Sequence, residues 1–519
     1  MLPPLPLAGE AAPKARVRAH WRNAPLRTPS SAFGTFSRKR EKGKHCDPLR
    51  PATIMPAMTL PPDLLATLRL TFGDDRLVTD EAERLVYGYD NSRRESMPDA
   101  VVFPTAHDEV VALVRACRAH RVPLVARGRG TNTTGASVPI AGGVVVSFER
   151  MNRVLAIDPG NRLAIVEPGV LNADLQTALR PHALFWPPDP TSAPYCTIGG
   201  NLACNAGGPR AVKYGATRDN VLALRAVAGT GEAFRCGKPT TKGAAGYDLT
   251  RLLIGSEGTL AIVTEATLKL TPLPNATRTL RATYADVASA AAAVARIMAQ
   301  PATPCALEFL DGESLKLARA HGGDSIPDAG ALLLIEADGD EATLDAAVEA
   351  VAAAARGEGL VDLAVAANAA EVAALWAARK ALSPALRTLS PRKINEDVVV
   401  PVSRIPDLVA AMRELAVRYA LPIVSFGHAG NGNLHVNLLP RDDVELARAD
   451  ACLREVFDVV VRLDGTLSGE HGIGLAKRDF MPLALDAGAL AMMRRIKGEF
   501  DPDGILNPGK LLPPAPQAV

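Results

Sequence analysis

Cys196-Thr197-Ile198-Gly199-Gly200-Asn201, then Asn205-Ala206-Gly207-Gly208-Pro209-Arg210, then Lys213-Tyr214-Gly215-Ala216-Thr217-Arg218-Asp219-Asn220, form one nearly continuous run of small and turn-forming residues. So many small side chains are poor core material. They let backbone lie close against a flat ligand or another backbone. The run is introduced by Pro187-Pro188-Asp189-Pro190-Thr191. Upstream, Arg127-Gly128-Arg129-Gly130-Thr131-Asn132-Thr133-Thr134-Gly135 follows an apolar strand, Val122–Val125. Successive backbone N–H groups in such a loop can wrap a phosphate, although the loop fits neither phosphate-loop nor dinucleotide fingerprints and would serve equally as a tight turn. Downstream, Gly246-Tyr247-Asp248-Leu249 leads to Ile254-Gly255-Ser256-Glu257-Gly258-Thr259-Leu260-Ala261-Ile262-Val263-Thr264, which ends as an alternating strand.

Around these segments, from Asp99 to Pro274, short apolar runs read as strands: Val101–Phe103, Gly143–Ser147 and Leu163–Val166. Glu109–His120 has helical spacing, with Val110, Val111, Leu113, Val114 and Cys117 on one face. Strands interleaved with helices predict an α+β domain. From Thr277 onward, helices are expected at Val287–Met298, Glu341–Arg356, Ile405–Ala420 and Val444–Leu463, with a further one ending near Leu382. Strands are expected at Ala331–Ile335, Leu363–Ala366, Pro422–Ser425 and Leu434–Leu438, giving a helix–strand sandwich. A last helix begins near Leu490 and runs into the turn Asp501-Pro502-Asp503-Gly504.

The 519 residues carry a net charge of +2, so no global attraction to polyanions such as nucleic acid is expected. Residues 1–54 hold eleven Lys and Arg against three acids, an excess of +8 that leaves −6 for the rest. Residues 1–58, Pro- and Arg-rich and without a continuous apolar segment, read as a disordered basic tail or as translated upstream sequence. Seven scattered cysteines without Cys-x-x-Cys spacing argue against a cluster or zinc ribbon and suit a reducing compartment. No apolar stretch reads as a transmembrane helix.

Three of nine histidines lie near the C-terminus in Gly-rich settings, Ser425-Phe426-Gly427-His428-Ala429-Gly430-Asn431-Gly432-Asn433-Leu434-His435 and Ser468-Gly469-Glu470-His471-Gly472-Ile473-Gly474. Two imidazoles and a carboxylate are a common ligand set for a catalytic divalent metal with an open position, and His471 beside them is a candidate base. A lone histidine would as readily cap a strand end; the set points to chemistry.

Five ordered motifs now carry a resemblance: CTIGGN…NAGGPRAVKYGATRDN, GYDLTRLLIGSEGTLAIVTEATLKL, FGHAGNGNLH, SGEHGIGLAKR and FDPDGILNPGK. From about Val101 to Leu512 the chain resembles FAD-linked oxidases of the vanillyl-alcohol-oxidase type. The likeness is to the glycolate oxidase subunit, D-lactate dehydrogenase and D-2-hydroxyglutarate dehydrogenase branch. The resemblance implies an α+β architecture in which a two-part FAD-binding domain (59–275) precedes a substrate or cap domain (276–465). A C-terminal segment (466–513) then returns to the flavin. It places the FAD pyrophosphate against Arg127, Gly128, Arg129, Gly130, Thr131 and Asn132. Pro188, Asp189, Thr191, Thr197, Gly199, Gly200 and Asn201 line the flavin and its ribityl chain. Glu257, Gly258 and Ile262 approach the adenine, and Asn507 returns to the flavin. With no histidine in the first loop, FAD is expected to be non-covalent, and Cys196 and Cys204 are packing residues.

The same resemblance assigns His428, His435 and Glu470 to zinc or a similar divalent ion, and His471 to the base. It assigns Arg379, with Lys393 as second candidate, to the substrate carboxylate, which suits a planar fork. Many relatives carry Asp where this chain has Asn431, which would remove one negative charge near the metal. The implied activity is oxidation of a D-2-hydroxy acid, D-lactate first, with glycolate or D-2-hydroxyglutarate as alternatives. The implied acceptor is a cytochrome, a quinone or an electron-transfer flavoprotein. A homodimer and a cytoplasmic location, peripheral to the inner membrane in one version, complete the expectation. Other alcohol oxidases or an ether-lipid synthase of the same fold, a metal-dependent hydrolase and a non-catalytic partner subunit are the competing readings.

Overall fold

The computed structural model describes residues 60–322 and 327–514. The reading of residues 1–58 as a tail lies outside them. Three larger sheets organise the described chain, beside a two-stranded pair of Leu184–Phe185 with Thr271–Pro272. The first is ordered Leu77–Val78, Ala100–Val102, Val144–Ser147, Leu124–Arg127. Ala100–Val102 and Leu124–Arg127 both run parallel to Val144–Ser147. Parallel strands need a crossover, and the helix His107–Ala119 follows Ala100–Val102, burying Val110, Leu113, Val114 and Cys117. It starts two residues before the expected Glu109. Asp108 and Glu109 then occupy its first turn, where the helix dipole favours acids. The C-terminal segment returns to this sheet: Leu124 donates to Ile505 O (2.8 Å) and accepts from Asn507 N (2.8 Å), and Ile505 and Leu506 join its core.

The second sheet is antiparallel, ordered Val154–Asp158, Leu163–Val166, Ala261–Lys269, Val221–Ala228, Ala233–Gly237. The alternating strand expected after Gly258 is its central member. Within the small-residue run lies a short helix, Ile198–Cys204. Thr197 Oγ1 caps it by accepting from Gly200 N (3.1 Å), and it ends at Asn205 in the left-handed conformation.

The third sheet has seven antiparallel strands: Leu360–Val365, Ala276–Tyr284, Ala331–Gly339, Ala306–Asp311, Ile423–Gly427, Asn433–Leu438, Ile394–Val399. Its period-two alternation sorts side chains onto two faces. Leu307, Phe309, Leu333, Ile335, Val398, Leu434 and Val436 enter one large core. There the helices Val287–Ala299, Glu341–Ala355, Ile405–Tyr419 and Asp443–Arg462 bury their apolar sides. The opposite face carries Leu310, Leu332, Leu334 and Phe426, covered by the helices Gly312–Gly322 and Ala369–Leu389. The latter helix runs past the expected Leu382 because Leu386 is also buried in that core. It stops at Ser390, which is extended before Pro391, where a helical conformation would clash with the ring. Alternation also puts Glu308, Glu336, Asp397 and His435 on this second face, and Trp376 and Arg379 of the helix Ala369–Leu389 bond to Glu336 and Glu308.

Candidate active site

A cleft of about 1000 Å³ runs from the Gly-rich loop to that second face of the seven-stranded sheet. Of the anticipated residues, Arg127, Gly128, Arg129, Gly130, Thr131, Asn132, Asp189, Thr191, Thr197, Gly199, Gly200, Asn201, Glu257, Gly258 and Ile262 line it. So do Arg379, His428, His435, Glu470 and His471. Pro188, Asn507 and Lys393 are not among the lining residues. Pro188 instead offers its carbonyl to Asn172 Nδ2 (3.1 Å). Asn507 is buried and donates to Ala136 O (2.8 Å) and Glu257 O (2.7 Å), tying the C-terminal return to both cofactor-end loops. Lys393 lies one contact back, its Nζ bonded to Ser383 Oγ (3.0 Å), and Ser383 lines the cleft. Burial, with Arg387 and Arg93 nearby, lowers the Lys393 ammonium to about 8.

At the loop end, Gly128 allows close approach: a Cβ there would come within 2.4 Å of Thr197 Oγ1. Arg127 is buried, lies over the Tyr87 ring (5.9 Å) and donates from Nη2 to Val86 O (3.2 Å). Its Nη1 and the Thr133 hydroxyl are buried without a hydrogen-bond partner among the described residues. Both residues line the cleft. Buried donors left open call for an acceptor, and a phosphate supplies one. Gly200 and Gly258 leave room, the nearest atoms to an added Cβ being 3.4 Å and 3.6 Å away. An anionic cofactor with a flat ring therefore fits the residues present. Asn132 does something else with its side chain. Its Oδ1 accepts from Thr134 N (2.9 Å) and Ala136 N (3.0 Å), and its Nδ2 donates to His471 O (3.0 Å). Asp189 is pushed up to about 7 by burial, against the pull of Arg210.

At the sheet end, one ligand atom from each of His428, His435 and Glu470 falls within 4.8 Å of the others. His428 Nε2 lies 3.4 Å, and His435 Nε2 3.7 Å, from Glu470 Oε1. Burial disfavours a charged His428, but Glu308 and Glu470 outweigh it and raise the ring to about 10; a cation between the three would take the proton's place. His435 is lowered by burial and by its histidine neighbours, so its ring stands neutral. Two neutral-capable imidazoles and a carboxylate with an open side fit a divalent ion. Asn431 is exposed, and the group that backs His428 is Glu308, whose Oε1 lies 2.5 Å from His428 Nδ1.

Glu308 and Asp397 were missed in the sequence reading. Burial opposes the charge of each, yet both are held ionised: Glu308 is lowered to about 2 by His428 and Arg379, and Asp397 is lowered by His471 and Lys477. Asp397 Oδ2 accepts from the backbone N–H groups of Gly469 (2.8 Å), Glu470 (2.6 Å) and His471 (3.0 Å). The buried Lys477 donates to Asp397 Oδ1 (2.5 Å). Glu257 takes Ile473 N (2.6 Å) and Gly474 N (2.9 Å). Two carboxylates from different sheets' surroundings thus clamp the loop that carries Glu470 and His471. His471 stacks on His435 (centroids 5.4 Å apart) with Nδ1 3.4 Å from Asp397 Oδ1. Trp376, Arg379, Lys380, Ser383 and Arg387 sit at helical spacing on the cleft side of Ala369–Leu389.

Residues 98–237 match the FAD binding domain family, and residues 273–511 match the family of FAD linked oxidases, C-terminal domain. The glycolate oxidase subunit GlcD of Bacillus subtilis is 42% identical over 85% of this chain and 94% of its own length. The chain belongs to the FAD-linked oxidases. It is an FAD-linked oxidoreductase of the glycolate oxidase subunit, D-lactate and D-2-hydroxyglutarate dehydrogenase branch. A D-lactate dehydrogenase of Anaerostipes hadrus is 35% identical over 83% of this chain and 91% of its own. A D-2-hydroxyglutarate dehydrogenase of Stutzerimonas stutzeri is 32% identical over 87% of this chain and 99% of its own. Among solved structures, p-cresol methylhydroxylase with substrate bound shares the fold at a TM-score of 0.72 and 17% identity, over 86% of this chain and 96% of that one. Among the described residues, no helix is long and apolar enough to cross a membrane.

Proposed function

We propose that this oxidoreductase converts a D-2-hydroxy acid, D-lactate first, into the 2-oxo acid, with Arg379 holding the carboxylate and His471 taking the hydroxyl proton. One observation carries the reading: Arg379 and the His428, His435, Glu470, His471 group line the same end of one cleft whose other end suits FAD. Non-covalent FAD supplies the two-electron acceptor, and a divalent ion, zinc first, held by His428, His435 and Glu470 supplies positive charge for a substrate oxygen. Arg379 presents a planar fork to a carboxylate, and Lys393, through Ser383, adds positive charge behind it. His471 offers an imidazole for the hydroxyl proton, and Asp397 stands behind it with Oδ1 3.4 Å from His471 Nδ1. The electrons then pass to a cytochrome, a quinone or an electron-transfer flavoprotein.

Glycolate is the second reading, favoured by the glycolate oxidase subunit at 42% identity. Steady-state turnover with an artificial electron acceptor separates them: D-lactate, L-lactate, glycolate and D-2-hydroxyglutarate are compared, with the 2-oxo product identified by mass. Turnover of D-lactate above the other three is expected. Preference for glycolate favours the second reading, and turnover of none sinks both.

A further inference from the structure

Glu308 belongs neither to the His428, His435 and Glu470 set nor to the Gly-rich loops. It sits on the strand Ala306–Asp311, between apolar neighbours, with no exposed surface. A charge there is costly unless paired and hydrogen-bonded. Each oxygen has one charged or chargeable partner, from a different element: Oε1 meets His428 Nδ1 at 2.5 Å, after the strand Ile423–Gly427, and Oε2 meets Arg379 Nε at 2.6 Å, on the helix Ala369–Leu389.

We propose that Glu308 is a positioning residue that couples the arginine docking the substrate carboxylate to the histidine holding the metal. The inference rests on the reading of the cleft given above. An ionised carboxylate only accepts, so His428 must carry its proton on Nδ1 toward Glu308. With a cation in place of the second proton, the Nε2 lone pair would face the space beside Glu470 and the neighbouring His435. The same carboxylate holds Arg379 by Nε alone, with the guanidinium over the Phe426 ring at 4.8 Å. The two terminal nitrogens of the fork are then the edge left for a second, incoming carboxylate. One buried side chain thereby sets both the tautomer of a ligand and the direction of a clamp.

The test uses the full-length flavin-loaded protein. Zinc chloride is titrated into chelator-stripped protein. Separately, pyruvate, which lacks the oxidisable hydroxyl, is titrated at saturating zinc and followed by the flavin spectrum. Glu308→Ala is expected to weaken zinc by about 10–100-fold, the range seen when a metal ligand loses its hydrogen-bond partner, and to weaken pyruvate as well. Arg379→Lys is expected to weaken pyruvate and leave zinc as in the parent. The proposal is overturned if Glu308→Ala leaves either affinity unchanged, or if Arg379→Lys weakens zinc equally. Should Glu308→Ala lose flavin or fail to fold, Glu308→Gln decides: it puts a donating NH2 where one of the two accepting oxygens stood, so one of the two donors loses its acceptor, and unchanged affinity for both probes overturns the coupling. If the parent protein binds neither probe, the functional reading falls and takes the proposal with it; if the parent binds both and the variants match it, the proposal falls alone.

Discussion

At one end of the cleft the lining comes from runs of adjacent residues, Arg127–Thr133 and Thr197–Asn201. At the other it comes from single side chains spread from Glu308 to His471, gathered by sheet register and a clamped loop. The first end is largely backbone, small residues and a few buried donors. The second is charge: buried carboxylates answered by imidazole, guanidinium and ammonium groups. A surface of the first kind binds, and a surface of the second kind moves protons and holds ions. The difference teaches that binding and chemistry here should be separable by mutation.

His471→Ala tests that separation most severely. Loss of a general base typically costs 10²–10⁴-fold, so flavin reduction by substrate should slow by about that factor while flavin content stays at the parent level. Loss of flavin along with rate would break the comparison. Asp397→Asn is next. It leaves the buried Lys477 short of a counter-charge and turns an acceptor of three loop N–H groups into a poorer one. Breaking a buried pair of this kind costs about 3–5 kcal/mol, read by urea unfolding. A change within 0.5 kcal/mol would mean the clamp does not hold the loop.

Gly258→Val attacks the other end. Gly258 has φ +70°, where a side chain costs about 1–2 kcal/mol, and its open side faces the cofactor end. That cost should appear as a lower urea midpoint, while the added side chain takes cofactor space and lowers FAD affinity about tenfold, roughly 1.4 kcal/mol of binding, with zinc binding unaltered. Weakened zinc binding would show that the two ends do not act independently. The smallest effect concerns Glu257, which joins the ends. Burial raises its carboxyl from 4.5 to about 7, against the loop N–H groups that hold it. The folded protein keeps this proton up to about pH 7, whereas the unfolded chain releases it near 4.5. Stability therefore falls as pH rises through that window and levels above it. Glu257→Gln should flatten the change in urea midpoint between pH 5 and pH 7; an unaltered slope would rule Glu257 out as its source.

The same contrast explains what could be read from sequence. The Gly-rich run, the alternating strand after Gly258 and the two histidine motifs are local, because turns and short spacings write themselves into adjacent residues. Arg379 and His428 were legible only through resemblance and motif. Glu308 and Asp397 were not legible, since their partners lie 71 and 120 residues away for Glu308 and 71 to 80 away for Asp397. A signal existed in each case: an acid inside an apolar strand, Ala306-Leu307-Glu308-Phe309-Leu310 and Asn395-Glu396-Asp397-Val398-Val399. Acids are almost never fully buried without partners. What no local pattern supplies is the register that lays Asp397 opposite His435. The helix Ala369–Leu389 outran its expected end because Leu386, one turn past Leu382, continues the buried face in the same core.

On the reading proposed above, the two ends form one site at which a D-2-hydroxy acid gives up two electrons. Anaerobic mixing of the purified, flavin-loaded protein with D-lactate tests it most directly. The yellow flavin absorbance should bleach on mixing and return when an electron acceptor is added. Flavin that stays oxidised with D-lactate, glycolate and D-2-hydroxyglutarate alike would contradict it.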